Sequence, residues 1–274
     1  MDCTNKLKIV YGDVTFGIHG EGFDYIFSYM RGGLESLVKD GKEWLYRSPR
    51  PTFWRATTDN DRGNGFSVKS GMGLGADLFQ KCVGIRITVD GGAIENFLPP
   101  QNNGYSNDEY AKEAEISYTY ETITVPATTV DVTYHVTADG KIHVNVQYHG
   151  GKGLPELPVF GMRFVMPTKA DGYVYEGLSG ETYPDRMAGG IPGVYEVDGL
   201  PVTYLVPQEC GMHMETEWVT VYRSKTLDNS SENVKKSGLT FTSGEKRFGF
   251  ACIPYTAEEL ENATHHEELP AARR

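Results

Sequence analysis

The chain has 274 residues, 39% of them hydrophobic and 12% aromatic, which is enough for a substantial core and too many for wholesale disorder. A formal net charge of −11 argues against binding a phosphate backbone, so nucleic acid is not an expected partner. No run approaches the roughly 18 apolar residues of a membrane helix, and residues 1–20 hold no apolar signal-peptide core. A cytoplasmic setting follows as the expectation, with the scattered cysteines Cys3, Cys82, Cys210 and Cys252 reduced.

Along the chain the dominant hydrophobic period is two. It begins at Phe23-Tyr25-Phe27-Tyr29 and returns at Ile85-Ile87-Val89 and Ile116-Tyr118-Tyr120. The strongest signal is a hairpin: Val130, Val132, Tyr134 and Val136 alternate with polar residues, Ala138-Asp139-Gly140 supplies a turn, and Ile142, Val144, Val146 and Tyr148 alternate again. Pro99-Pro100, Gly150-Gly151 and Gly189-Gly190 punctuate these runs, and the polar stretch 224–237 reads as an exposed loop. After a last alternation at Phe248-Phe250, Thr256 and Glu259 form a capping box that starts one marked helix, and Pro270 stops any helical continuation. Many short strands with one or two short helices predict an all-β antiparallel sandwich, residues 1–274 forming a single domain.

Three stretches carry chemistry. The first, PTFWRATTDNDRGNGF (51–66), sets two arginines and two aspartates directly after Phe53 and Trp54, and its glycine spacing predicts neither regular helix nor strand. An EF-hand is excluded: Gly63 and Asn64 stand where a ligand and the turn glycine belong, and Ser70 replaces the closing carboxylate. Gly71-x-Gly73-x-Gly75 lacks the third glycine and the βαβ setting of a nucleotide loop. Two readings remain: a turn whose Asp and Asn side chains satisfy nearby amides, or a charged, partly mobile loop over a polar ligand, anchored by Phe53 and Trp54.

The second stretch, residues 175–190, gathers Glu181, Tyr183, Asp185 and Arg186. Two acids could serve glycoside hydrolysis, whereas an acid–arginine pair pinning a loop is the commoner arrangement. The third places His213 between Met212 and Met214, the usual setting of a hydrogen-bonded structural histidine. No Ser-His-Asp arrangement or metal-ligand spacing stands out. The adjacent His265 and His266, on the same helix, would point about 100° apart.

Taken in order, RPTFWRATTDNDRG, GLSGETYPDRMAG, YLVPQECGMHMET and PYTAEELENATHHEELP resemble the C-terminal domain of family 2 β-galactosidases, and most closely the small subunit of the two-chain enzymes of lactic acid bacteria. The N-terminal LKIVYGDVTFGIHGEGFDYIFSYMRGGLESLVKDGKEWLYR extends this resemblance over essentially the whole chain. It implies a galactose-mutarotase-like β-supersandwich and a large catalytic partner chain that carries both catalytic glutamates, so no residue here is catalytic. Magnesium and sodium are implied on that partner, with no cofactor on this chain. The resemblance places Gly63, Asn64, Gly65 and Phe66 beside a terminal β-galactoside such as lactose, in a loop that opens and closes. Trp54, Arg55, Asp59, Asn60, Asp61 and Arg62 anchor that loop, and Glu181, Tyr183, Asp185 and Arg186 hold a structural one.

The family pattern continues into strands with a GGDDSW motif beyond the position of Arg274, which leads one to expect a chain truncated at its C-terminus. Two other functions stay open: an aldose 1-epimerase with His213, His143 or Glu181 as acid and base, and a sugar-binding module acting alone.

Overall fold

The computed structural model describes residues 6–95, 109–184, 186–225 and 237–270. The chain divides into two compact units, one of residues 1–53 and 72–166, the other of 54–71 and 167–274.

The first unit begins with β1 (Leu7–Tyr11), β2 (Thr15–Gly20), β3 (Phe23–Ser28), β4 (Leu34–Lys39), β5 (Lys42–Glu43) and β6 (Arg47–Thr52). Three short helices follow: α1 (Asp59–Gly63) and α2 (Phe66–Lys69), which belong to the second unit, and α3 (Met72–Leu78), which returns to the first. The first unit is completed by β7 (Gln80–Val89), β8 (Gly92–Ala93), β9 (Tyr110–Ala111), β10 (Glu113–Thr122), β11 (Thr129–Thr137), β12 (Ile142–Tyr148) and β13 (Gly161–Val165). A six-stranded sheet ordered β5-β4-β3-β2-β1-β9 and a five-stranded one ordered β12-β11-β10-β7-β8 are both antiparallel.

Alternation decides which side chains meet. Ile9, Phe16, Ile18, Tyr25 and Phe27 of the first sheet are buried, as are Ile116, Tyr118, Tyr120, Val130, Val132, Tyr134 and Val136 of the second. Phe27 and Tyr134 meet at 5.5 Å between ring centroids, and the Tyr25 hydroxyl donates to the Gly140 carbonyl at 2.6 Å. Each such aromatic contributes about 2–3 kcal/mol of burial. The opposite face of β10 and β11 is polar: Ser117 pairs with Thr133, Thr119 donates to Asp131, and Glu113 meets His135. The turn expected at Asp139-Gly140 is present, with the positive φ of 79° on Gly140 alone. Asp40-Gly41 and Asp90-Gly91 have positive φ at both residues and close the β4–β5 and β7–β8 hairpins.

The second unit holds β14 (Gly172–Leu178), β15 (Pro192–Asp198), β16 (Met212–Thr216), β17 (Trp218–Arg223), β18 (Ser237–Thr242) and β19 (Phe248–Ala251). They form a sheet ordered β15-β14-β17-β18 and a β16-β19 pair. His213 of β16 sits among Tyr173, Tyr175 and Phe250. Its Nδ1 faces the Gly180 carbonyl at 2.9 Å and so carries the proton, leaving Nε2 to accept from the Tyr173 hydroxyl at 2.8 Å. Burial lowers its pKa and keeps it neutral, which is the structural role read from its setting.

The expected helix is α4 (Ala257–Asn262), with the Thr256–Glu259 capping box formed in both directions. Its Leu260 packs with Ala56, Ala263 and Leu269. Three expectations are corrected. Helix is more abundant than one or two short pieces, with four α-helices and a 3-10 turn at His266–Glu268 among the described residues. Residues 59–63, read as unable to form regular structure, are a helix. His265 and His266 lie beyond α4, at the start of the 3-10 turn. The loop inferred at 224–237 falls mostly outside the described residues.

Candidate functional site

The helix at 59–63 follows from its first residues. Thr58 has the extended backbone of an N-cap, its hydroxyl accepts from the Asp61 amide at 3.2 Å, and Asp61 accepts from the Thr58 amide at 3.0 Å. This reciprocal box outweighs the preference of Asp and Asn for turns. Asp61 is 8% exposed, and both its oxygens also face the Arg55 guanidinium, at 2.8 and 3.1 Å. Arg62 donates through Nε to the Thr57 hydroxyl at 3.1 Å, and the Thr57 amide donates to Glu261 of α4 at 2.7 Å. The Asp59 amide donates to the Pro207 carbonyl, and Asp59 and Asn60 are exposed residues. Trp54 and Phe53 are buried, the latter against Tyr148 and Phe160. The base of the segment is therefore tightly held.

Its tip is not. Gly63 and Asn64 are exposed, and Gly65 and Phe66 only partly covered. Asn64 accepts the Phe66 amide at 2.8 Å and Lys69 donates to the Asn64 carbonyl, so the local contacts are short-range and polar. Gly65 has φ +74°, where a side chain would cost about 1 kcal/mol. A methyl group at Gly63 would meet nothing within 4 Å, so sterics here do not demand glycine. No residue of α2 is buried.

Glu209 lies close to the pinned base. Its surface is only partly covered, yet the dense protein around it desolvates the carboxyl and pushes its pKa up to about 7; Arg55 opposes this and Asp61 adds to it. Between the ordinary carboxylate value and about 7 the folded chain binds more protons than the unfolded one, so stability falls as pH rises through that window and levels off above it. Glu209→Gln should therefore melt higher than the parent at pH 8, by the equivalent of about 1–3 kcal/mol, with the gap closing near pH 5. Thermal denaturation at the two pH values checks this, and a gap independent of pH would refute it.

In the second stretch Glu181 Oε2 lies 3.0 Å from the Tyr183 hydroxyl and 2.6 Å from that of Tyr204, and the two hydroxyls also meet, so that their two protons serve two of the three contacts at a time. Desolvation and the neighbouring Glu181 both raise the Tyr204 pKa. Arg186 bridges Tyr183 through its backbone, and Asp185 lies outside the described residues. Glu181 is thus held by phenols rather than by an arginine. Among the described residues no three of His, Cys, Asp or Glu gather to hold a metal ion. Cys82, Cys210 and Cys252 are free thiols whose pKa values burial raises, that of Cys252 to about 11.

Sequence reasoning brought Arg55, Asp61 and Arg62 together and missed Thr57, Thr58, Glu209 and Glu261. Thr58-x-x-Asp61 was a visible capping signal; Glu261, 204 residues from Thr57, gave none.

These features define an all-β sandwich chain that presents a helical loop from a fixed base. Residues 19–274 match the family described as beta galactosidase small chain. A β-galactosidase small subunit from Latilactobacillus sakei is 62% identical over 273 residues, which is 99% of this chain and 86% of the relative. β-Galactosidases of Clostridium acetobutylicum and Halalkalibacterium halodurans are 39% and 34% identical over 70% and 96% of this chain, spans that make up 19% and 24% of their own lengths. The chain belongs to the β-galactosidase small-chain family, a family of glycoside hydrolase subunits. No helix among the described residues is long and apolar enough to cross a membrane.

Proposed function

We propose that this chain completes and gates, in the cytoplasm, the active site of a β-galactosidase whose catalytic glutamates, with magnesium and sodium, belong to a large partner chain. The substrate is a terminal non-reducing β-D-galactoside such as lactose. The observation that carries the reading is the contrast within residues 55–69: a base fixed by Arg55, Asp61 and Glu261, and a tip of Gly63, Asn64, Gly65 and Phe66 left largely open. Such a tip can move over a ligand without disturbing the sandwich, excluding water and orienting the sugar when it closes. The match to about a quarter of a single-chain β-galactosidase supports the same division, since three quarters of that enzyme has no counterpart here.

The chain alone is expected to leave an aryl galactoside intact, and hydrolysis should appear when a matching large chain is added. Robust hydrolysis by the isolated chain would refute the division of labour. Gly63→Ala sharpens the gating part: the methyl group fits and favours helix by about 0.5–1 kcal/mol, so the chain should melt no lower than the parent. If Gly63 must leave its helical conformation in turnover, the mixed enzyme should slow several-fold. An unchanged rate would remove Gly63 from the hinge.

A further inference from the structure

The outer face of the β10–β11 ladder is polar along most of its length, and it ends in an apolar patch. Leu78, Phe79, Ile123 and Val125 are 53%, 60%, 56% and 75% exposed. Phe79 and Ile123 among them are neighbours by construction. Gln80 pairs with Thr122 at the last rung of β7 and β10, which sets Phe79 and Ile123 side by side just beyond it. Thr122 is buried, so by alternation Ile123 points to the outer face. A Cβ at Gly75 of α3 would lie 3.3 Å from the Ile123 side chain, so the helix crosses that residue. The Phe79 amide bonds the Gly75 carbonyl at 3.0 Å, extending the last turn and bringing Phe79 onto the same side. Exposed Lys81 and Glu121, paired on the next rung, form a charged rim.

We propose that this patch is a docking seat for the large chain, an inference that rests on the function proposed above. A cluster of large apolar side chains with a polar rim is the composition of an interface core, and a soluble surface rarely leaves one uncovered. The occupant follows from chain length. In the H. halodurans relative the segment matching 96% of this chain is 24% of one continuous polypeptide, so the remainder is available to cover the patch. On the function proposed above, that remainder is supplied by a second polypeptide. In sequence the seat follows the candidate loop, because α3 begins at Met72, right after α2 and Gly71.

The test is the double variant Phe79→Ser, Ile123→Thr, mixed with the large subunit of the L. sakei enzyme. Three measurements are needed: the melting point of the small chain alone, its affinity for the large subunit by sedimentation, and hydrolysis at saturating small chain. The melting point should stay put, because both side chains are more than half exposed. Affinity should fall tenfold or more, as for loss of interface anchors. At saturation the rate should stay within twofold of the parent. Val144→Thr, an exposed apolar position on β12, is the matched control and should assemble like the parent. If the double variant destabilises the chain, the single variant Phe79→Ser provides the second probe and should weaken affinity alone. Parental affinity of the double variant would overturn the proposal. So would a concentration-dependent dimer of the small chain that the variant abolishes, which would assign the patch to a second copy. Failure of the parent chain to bind any large chain would instead sink the function on which the seat depends.

Discussion

Replacing Asp77 with alanine should lower the melting point of the chain by about 10 °C. The carboxylate is fully buried. One oxygen accepts from the Thr52 hydroxyl at 2.5 Å and the Phe53 amide at 2.7 Å, and the other meets Arg163 of β13 at 2.5 Å. Arg163 also donates to Thr52 at 2.8 Å, which closes the ring. Removing the carboxylate takes the ionic partner from a mostly buried guanidinium and the acceptor from a buried amide, which costs about 3–5 kcal/mol. In a chain of this size each kcal/mol is about 2–4 °C. Asp77 lies on α3 and Phe53 at the end of β6, so this one side chain also closes the excursion that contains the candidate loop. Calorimetry on the variant decides the matter, and a shift under about 3 °C would mean that the ring is not what holds β6, α3 and β13 together.

Asp61→Ala is the second large effect, and its consequence is functional as well. It removes the return half of the capping box and the partner of Arg55 together. The cap is worth about 1 kcal/mol, and a mostly buried guanidinium left with Glu209 as its nearest described acid adds to that, for about 2–4 kcal/mol in all. Thr58→Ala, which loses only the cap, should cost about 1 kcal/mol. The Arg55→Ala, Asp61→Ala double variant should cost less than the sum of its singles, because the second change removes a charge already stranded. On the proposed function, loosening the base should lower hydrolysis by the mixed enzyme at least tenfold at saturating large chain. Normal turnover by an Asp61→Ala chain that is demonstrably destabilised would separate the loop base from catalysis.

How legible these features were depended on the range of the interactions. The β11–β12 hairpin could be read because both strands alternate cleanly and Gly140 sits at the turn; Tyr134 came with it, and Tyr118 and Tyr120 came with the separate alternation of β10. The α4 start was readable from Thr256 and Glu259 alone. The same local box at Thr58 and Asp61 went unused, since a run of Asp, Asn and Gly argues for a turn unless the cap is weighed against it. What stayed hidden was non-local. Nothing near Asp77 announces Thr52, 25 residues back, or Arg163, 86 residues on. Nor does anything near Glu209 announce Arg55. Periodicity reveals faces, and faces leave open which buried charges meet.

The clustered tyrosines of the five-stranded sheet give the first unit a particular weakness toward base. Desolvation raises the pKa of Tyr118, Tyr120 and Tyr134 far above the phenol's ordinary value, with Tyr118 and Tyr134 further raised by neighbouring phenols. Above about pH 10 an unfolded chain surrenders protons that the folded sheet must keep. Alkali therefore pulls this sandwich apart from within, and the phenolate absorbance released as it opens makes the core its own indicator dye.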